Sequence, residues 1–155
     1  MKRIFLTITH LGAIALGFAL GIYMLPILTE PQGPSLVEVE KLASTSLYNA
    51  EFKRDLAGSD LLHWGEGRVS VSKDAVSLMG ELAPGPDYKL YLAPEFVETE
   101  DQFLQVKRYS VQVGEIKTFD NFVVNIPNSI NPEEYTTVVI WCETFGEFIT
   151  AAQYR

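Results

Sequence analysis

A long segment near the N-terminus contains no Asp, Glu, Lys or Arg, and it runs from Ile4 to Thr29. A helix of about 26 residues, at ~1.5 Å per residue, spans the ~30 Å hydrocarbon core of a bilayer. The small-residue motifs at 15–17 and 19–21 are poor signal-peptidase sites, and the apolar run continues past both. We therefore expect an uncleaved transmembrane anchor at 1–29, with the remainder of the chain folding apart from it.

The charges that flank this segment predict its orientation. Lys2 and Arg3 precede it and Glu30 follows it, so the positive-inside rule places the N-terminus in the cytoplasm. Everything after the anchor is then extracytoplasmic, in a periplasm or at a cell surface. The absence of an Asn-x-Ser/Thr sequon fits a bacterial envelope better than a glycosylating secretory route.

Small residues recur every four positions along the anchor, at Ala13, Gly17 and Gly21. A small-xxx-small stripe lets two membrane helices approach closely, which predicts a homodimer through these residues. Glycine is also common in membrane helices in general, so the stripe has an equally good explanation without a dimer.

The exported part of the chain is strongly acidic. All 20 acidic residues follow the apolar segment, whereas two of the 12 basic residues, Lys2 and Arg3, precede it. The remainder therefore carries a formal charge of about −10, and it lacks the Lys and Arg clusters that nucleic acids and anionic membrane surfaces require. Such a surface suits a cationic partner or serves solubility alone.

Residues 30–47 are expected to connect the anchor to a single folded domain at 48–155. Glu30 to Pro34 contains two prolines and a glycine and cannot continue a helix. Ser35 and Glu38 have the spacing of a helix capping box. Val37 and Val39 alternate with Glu38 and Glu40, so a strand fits this segment as well as a helix.

From residue 48 onward the chain has the pattern of an all-β domain. Short runs rich in β-branched and aromatic residues alternate with turn motifs that contain Gly, Pro, Asn and Asp. The runs cover 69–72, 76–82, 88–92, 111–113, 122–126, 138–145 and 148–154. Helix is expected only in short pieces near 99–104 and 132–135. This spacing predicts an antiparallel β-sandwich or a barrel-like domain.

Cys142 is the only cysteine of the chain. Domains in oxidising compartments usually carry cysteines in pairs or not at all, so a single thiol suggests redox chemistry. Strand alternation puts Cys142 on one face with Val138 and Ile140, and Trp141 and Glu143 on the other. Glu143 predicts that this second face is partly wet, so Cys142 is expected to face the core, where a free cysteine behaves as a small hydrophobe. The two interpretations, buried structural cysteine and redox thiol, remain open.

His63 is the only histidine outside the anchor, and it precedes a glycine-containing turn. A lone histidine is more often structural than a ligand. Met79 and Cys142 are its candidate partners: a histidine and methionine pair holds a b-type haem in some proteins, although no Cys-x-x-Cys-His attachment motif is present. A type-one copper site needs two histidines with the cysteine, which this domain lacks. The cofactor is therefore unknown, with haem unsupported by any further residue.

Motifs for other chemistry are absent from the sequence. It contains no Gly-x-Ser-x-Gly elbow, phosphate-binding glycine loop or His-Glu-x-x-His motif. An acidic cluster at 95–101 lacks the alternating ligands and glycine of a calcium loop and is interpreted as a solvated connector. Hydrolase chemistry is therefore not expected.

Four segments together resemble the electron-transfer DM13 domain. They are LLHWGEG at 61–67, LAPGPDYKLYL at 82–92, KTFDNF at 117–122 and VIWCETF at 139–145, and the resemblance covers 49–154. It implies a β-rich domain outside the cytoplasm, in a family some of whose members are joined to DOMON and cytochrome b modules. It also implies that the cysteine, here Cys142, takes part in redox reactions with a partner protein.

Two hypotheses for function follow. The first is a membrane-anchored extracytoplasmic electron-transfer module that uses Cys142, with Trp141 as the adjacent redox candidate, or a cofactor near His63 and Met79. Core packing is the simpler explanation of Trp141. The second hypothesis is a non-catalytic β-sandwich that binds a partner in the envelope or at the cell surface. An electron-transfer or binding module is favoured over a stand-alone enzyme.

Overall fold

The computed structural model describes residues 1–155 and contains three α-helices and eight β-strands. The helices are α1 (Lys2–Leu28), α2 (Leu36–Ser44) and α3 (Glu100–Val106), with 3₁₀ turns at Lys107–Tyr109 and Pro132–Glu134. The strands are β1 (Tyr48–Phe52), β2 (Gly65–Val71), β3 (Ala75–Leu82), β4 (Tyr88–Ala93), β5 (Val111–Ile116), β6 (Asp120–Asn125), β7 (Thr137–Cys142) and β8 (Glu147–Gln153).

The strands form two four-stranded antiparallel sheets that pack as a β-sandwich. One sheet has the order β1-β2-β3-β6 and the other the order β5-β4-β7-β8. Alternate residues of each strand face inward, and fully buried side chains such as Leu78, Leu90 and Ile140 fill the space between the sheets. The all-β sandwich predicted from the sequence is therefore confirmed.

Helix α1 is not part of this core, because none of its residues is buried. Its length and composition are those of a helix that crosses a membrane. An N-terminal apolar helix of this kind serves as a membrane anchor or as a signal sequence. A Cβ atom added at Gly17 or Gly21 would have no neighbour within 4 Å, and the homodimer through this stripe stays a prediction.

The segment between α1 and β1 is helical and packs against the sandwich. The side chain of Ser35 accepts a hydrogen bond from the amide of Glu38 at 3.3 Å, so the capping box starts α2 and the helix alternative holds. Helix α2 lies mainly against β3 and β6, and its Val39 is buried. The Glu30 carboxylate accepts a hydrogen bond from the amide of Phe119 at 2.7 Å, which ties the linker to the domain.

Three expectations about local structure need correction. Strand β1 was not among the predicted runs, and β7 ends at Cys142 rather than continuing to 145, because Glu143 to Gly146 form the turn into β8. Phe145, the last residue of that predicted run, is 52% exposed on the turn. The outer face of β7 is dry rather than partly wet, since α3 covers Val139 and Trp141.

Candidate functional site

A cavity of about 380 Å³ lies between α1 and the end of the sandwich where β7 turns into β8. Eight of its thirteen lining residues are hydrophobic, so an apolar ligand fits it better than a polar one. Ala19 and Tyr23 of α1 line one side, and His63, Tyr88 and Cys142 are among the residues of the sandwich that line the other. We call this space the helix-facing cavity.

Cys142 is the last residue of β7 and pairs with Tyr88 on β4 and Glu147 on β8. Its side chain faces the core between the sheets, as predicted, and the residue is only 2% exposed. Burial raises the pKa of the Cys142 thiol, and the peptide N–H groups of Phe145, Asp87 and Thr144 partly offset that effect. The thiol is therefore neutral at neutral pH, shielded from bulk water, and situated on the wall of a cavity.

His63 lies in the loop between β1 and β2, and Asp60 fixes its orientation. One carboxylate oxygen of Asp60 accepts hydrogen bonds from the backbone amides of Leu62 and His63, at 2.7 and 2.8 Å. The other carboxylate oxygen lies 3.0 Å from Nδ1 of His63. The hydrogen bond with His63 lowers the pKa of Asp60. The pair leaves Nε2 of His63 without a protein partner, which is the arrangement of imidazoles that bind ligands or transfer protons.

Tyr88, which begins the predicted run 88–92 and was not a candidate site residue, is a third polar group of the cavity. The residue is 3% exposed, yet its hydroxyl has no hydrogen-bond partner and it lines the helix-facing cavity. Burial, together with Cys142 and Tyr23, raises the pKa of Tyr88. A Cβ atom at Gly85 would lie 2.4 Å from this hydroxyl, so glycine is required there. The only signal in the sequence was the Gly-Pro-Asp turn that directly precedes Tyr88.

The other two residues singled out from the sequence lie elsewhere. Met79 is on the outer face of β3, where its sulfur lies 3.7 Å from Arg68, and it lines a separate cavity. Trp141 faces away from Cys142, toward α3. The structure thus brings Cys142 and His63 to one cavity but does not bring Met79 or Trp141 to it. No group of three or more His, Cys, Asp and Glu side chains is arranged to hold a metal ion.

A polar cluster covers Trp141 at the edge of α3. Lys107 Nζ lies 2.8 Å from the Glu143 carboxylate and 5.0 Å from the centre of the Trp141 ring. The Tyr91 hydroxyl donates to the same carboxylate. Burial raises the pKa of Glu143, but the hydrogen bonds from Lys107 and Tyr91 outweigh it, so the pKa lies below its ordinary value. This ion pair holds the end of α3 over the sheet.

We expect Lys107→Met to lower the free energy of unfolding by about 1 kcal/mol at pH 7, since Glu143 then keeps only its Tyr91 partner. In the native protein the pair stabilises the fold above the ordinary carboxyl pKa, and this contribution is lost as pH falls through the lowered pKa of Glu143. The variant lacks this contribution, so its free energy of unfolding should fall less between pH 7 and pH 3. Urea unfolding between pH 3 and pH 7 measures both effects.

The matched control for this prediction is Lys117→Met. Lys117 pairs with Glu115 at 3.1 Å, and both side chains are more than half exposed. An exposed pair contributes little, so the control is expected to leave the free energy of unfolding essentially unchanged. Parallel pH curves for the native protein and Lys107→Met would show that Glu143 is not stabilised by Lys107.

An apolar cavity with a few polar groups on its wall, in this case a single thiol and a carboxylate-oriented imidazole, has the usual form of a small-molecule binding site. The family model Electron transfer DM13 matches residues 51–154, more than half of the chain. The chain belongs to this family of electron-transfer domains. No curated protein and no solved structure matches the chain.

Proposed function

We propose that the protein is a membrane-anchored, extracytoplasmic electron-transfer module whose reactive centre is the helix-facing cavity. One observation carries the proposal: Cys142 and His63, far apart in the sequence, line the same cavity. Membership of an electron-transfer family and the apolar helix α1 support it. The N-terminus then lies in the cytoplasm and the sandwich in the periplasm or at the cell surface, as the flanking charges favour.

The cavity offers two routes for an electron. In the first, an oxidised partner redox protein takes one electron from the Cys142 thiol and the imidazole of His63, which Asp60 orients as a proton acceptor, takes the proton. Cys142 is then a thiyl radical until a reduced partner returns the electron and His63 returns the proton. In the second, a cofactor held by Nε2 of His63 carries the electron. The carboxylate behind Nδ1 is typical of histidines that act as ligands. Met79 does not line this cavity but a separate one, so it is not placed to be the second ligand of a cofactor bound to His63.

The experiment is a redox titration of the full-length protein, with visible spectra recorded in air and after addition of dithionite. We expect a reversible midpoint potential. On the thiol route, the Cys142→Ser variant loses it and no visible band appears, while on the cofactor route a band shifts on reduction and His63→Gln removes it. Trp141→Phe is the matched control, because it changes the neighbouring residue on the opposite face of β7.

A fully folded protein with no reversible redox signal in either assay would contradict the proposal. It would leave the non-catalytic binding module as the function. A Cys142→Ser variant that folds normally and keeps the midpoint potential would exclude the thiol route and send attention to His63.

A further inference from the structure

We infer that the helix-facing cavity binds a membrane-soluble quinone, with the ring between Tyr88 and His63 and the apolar tail along α1. The inference rests on the proposed electron-transfer function, which selects a redox-active molecule among the apolar ligands that fit. The volume of the cavity, about 380 Å³, lies within the range found for small-molecule binding sites.

The cavity lies beside the C-terminal half of α1, the helix that we propose crosses the membrane. Tyr23 precedes the end of α1 at Leu28 by five residues, which is about 8 Å of helix. The 27 residues of α1 cover about 40 Å, whereas the hydrocarbon core is ~30 Å thick. Tyr23 therefore lies near the boundary of the hydrocarbon core on the side of the sandwich. A cavity with α1 as one wall opens at the level of the lipid.

The rim of the cavity carries exposed apolar side chains. Leu62 and Phe145 line it and are 54% and 52% exposed, and the adjacent Leu61 is 94% exposed. Three large apolar side chains on two loop tips are unfavourable in water and match a bilayer interface. A ligand dissolved in the membrane reaches the cavity past these side chains without crossing water.

Two polar side chains, Tyr88 and His63, lie on the wall of the cavity. The buried Tyr88 side chain lines the cavity, and its hydroxyl, which is not itself fully enclosed, has no hydrogen-bond partner within the protein. A ligand with an oxygen acceptor would satisfy this hydroxyl, whereas a lipid acyl chain would not. His63 Nε2 accepts from a quinol hydroxyl when the ring is neutral and donates to a quinone carbonyl when it is protonated. A ring with two oxygens on opposite edges is the membrane-soluble redox molecule that uses both groups.

The test measures binding of a benzoquinone with a ten-carbon chain to the full-length protein in lipid nanodiscs, by equilibrium partitioning against empty nanodiscs. We expect saturable binding at one site per chain. Ala19→Phe places a ring in the cavity from an exposed helix position, and we expect at least tenfold weaker binding. Tyr88→Phe removes one neutral hydrogen bond and should weaken binding about 2- to 10-fold.

Leu20→Phe is the matched control, since it places the same ring at almost the same depth of α1 but at an exposed position outside the cavity, and it should bind like the native protein. Three results would overturn the inference: no saturable binding, unchanged affinity in Ala19→Phe, or equal competition by decanol, which has the chain without the ring. The partitioning experiment measures quinone binding and does not depend on electron transfer. A redox-active protein that does not bind the quinone refutes this inference alone, and a redox-silent protein that binds it refutes the proposed function alone.

Discussion

Trp141→Ala is expected to lower the free energy of unfolding by about 3–5 kcal/mol, as for other large buried aromatic side chains replaced by alanine. Trp141 is 1% exposed, and its ring centre lies 5.0 Å from that of Phe103 on α3. The truncation would leave a void beneath α3 that rigid strands on either side cannot close. Urea unfolding monitored by circular dichroism measures the loss.

Trp141→Phe separates the structural role of this residue from a redox role. The indole N–H of Trp141 has no hydrogen-bond partner, so phenylalanine removes an unsatisfied donor while it keeps an aromatic contact with Phe103. We expect a loss of only about 1–2 kcal/mol, since part of the ring volume is retained. The midpoint potential of the module should not change. A shifted potential in a folded Trp141→Phe protein would establish Trp141 as a redox residue, as the sequence first suggested.

The sandwich was predictable from the sequence because its strands carry local signals. Period-two alternation and turn residues identified most strands, and they placed Cys142 toward the core. The same reasoning failed on the outer face of β7. Glu143 indicated contact with water, but its partner Lys107 is 36 positions away on the segment that follows α3. Covering of a sheet face by a distant helix leaves no trace in the strand itself.

The candidate site was predictable in its parts but not as an arrangement. Cys142 and His63 stood out because each is unique in the domain, and sequence reasoning even named them as potential partners. Met79 was an equal candidate, and only the structure shows that it lies outside the core, beside Arg68 and in a separate cavity. Tyr88 escaped notice because an unpartnered hydroxyl is a property of the packed structure. The contribution of α1 to the cavity wall likewise depends on how the helix meets the sandwich.

Gly80→Ala should lower the free energy of unfolding by about 3 kcal/mol, because two glycines allow β2 and β3 to approach closely. Gly80 pairs with Gly67, and a Cβ atom at Gly80 would lie 2.0 Å from the carbonyl oxygen of Glu66. Gly67 itself has a φ of 120°, which residues with a side chain rarely adopt. Since backbone is the obstacle, the ladder has to open, and overpacking of this kind is at the upper end of its usual range.

Gly114→Ala is the matched control, since the nearest atom to its Cβ would be a methyl group of Val124 at 2.7 Å, and a side chain moves more readily than backbone. We expect it to cost about 1 kcal/mol, the lower end of the overpacking range, because only the buried Val124 side chain has to shift. Opening the β2–β3 ladder should also change the position of His63, because β2 begins two residues after it. The carbonyl of Trp64, next to His63, accepts a hydrogen bond from the amide of Ala83. The loop that carries His63 should then move away from Cys142, so a thiol reagent should modify Cys142 faster in Gly80→Ala than in Gly114→Ala. Equal modification rates in the two folded variants would show that the position of His63 does not depend on this close strand pair.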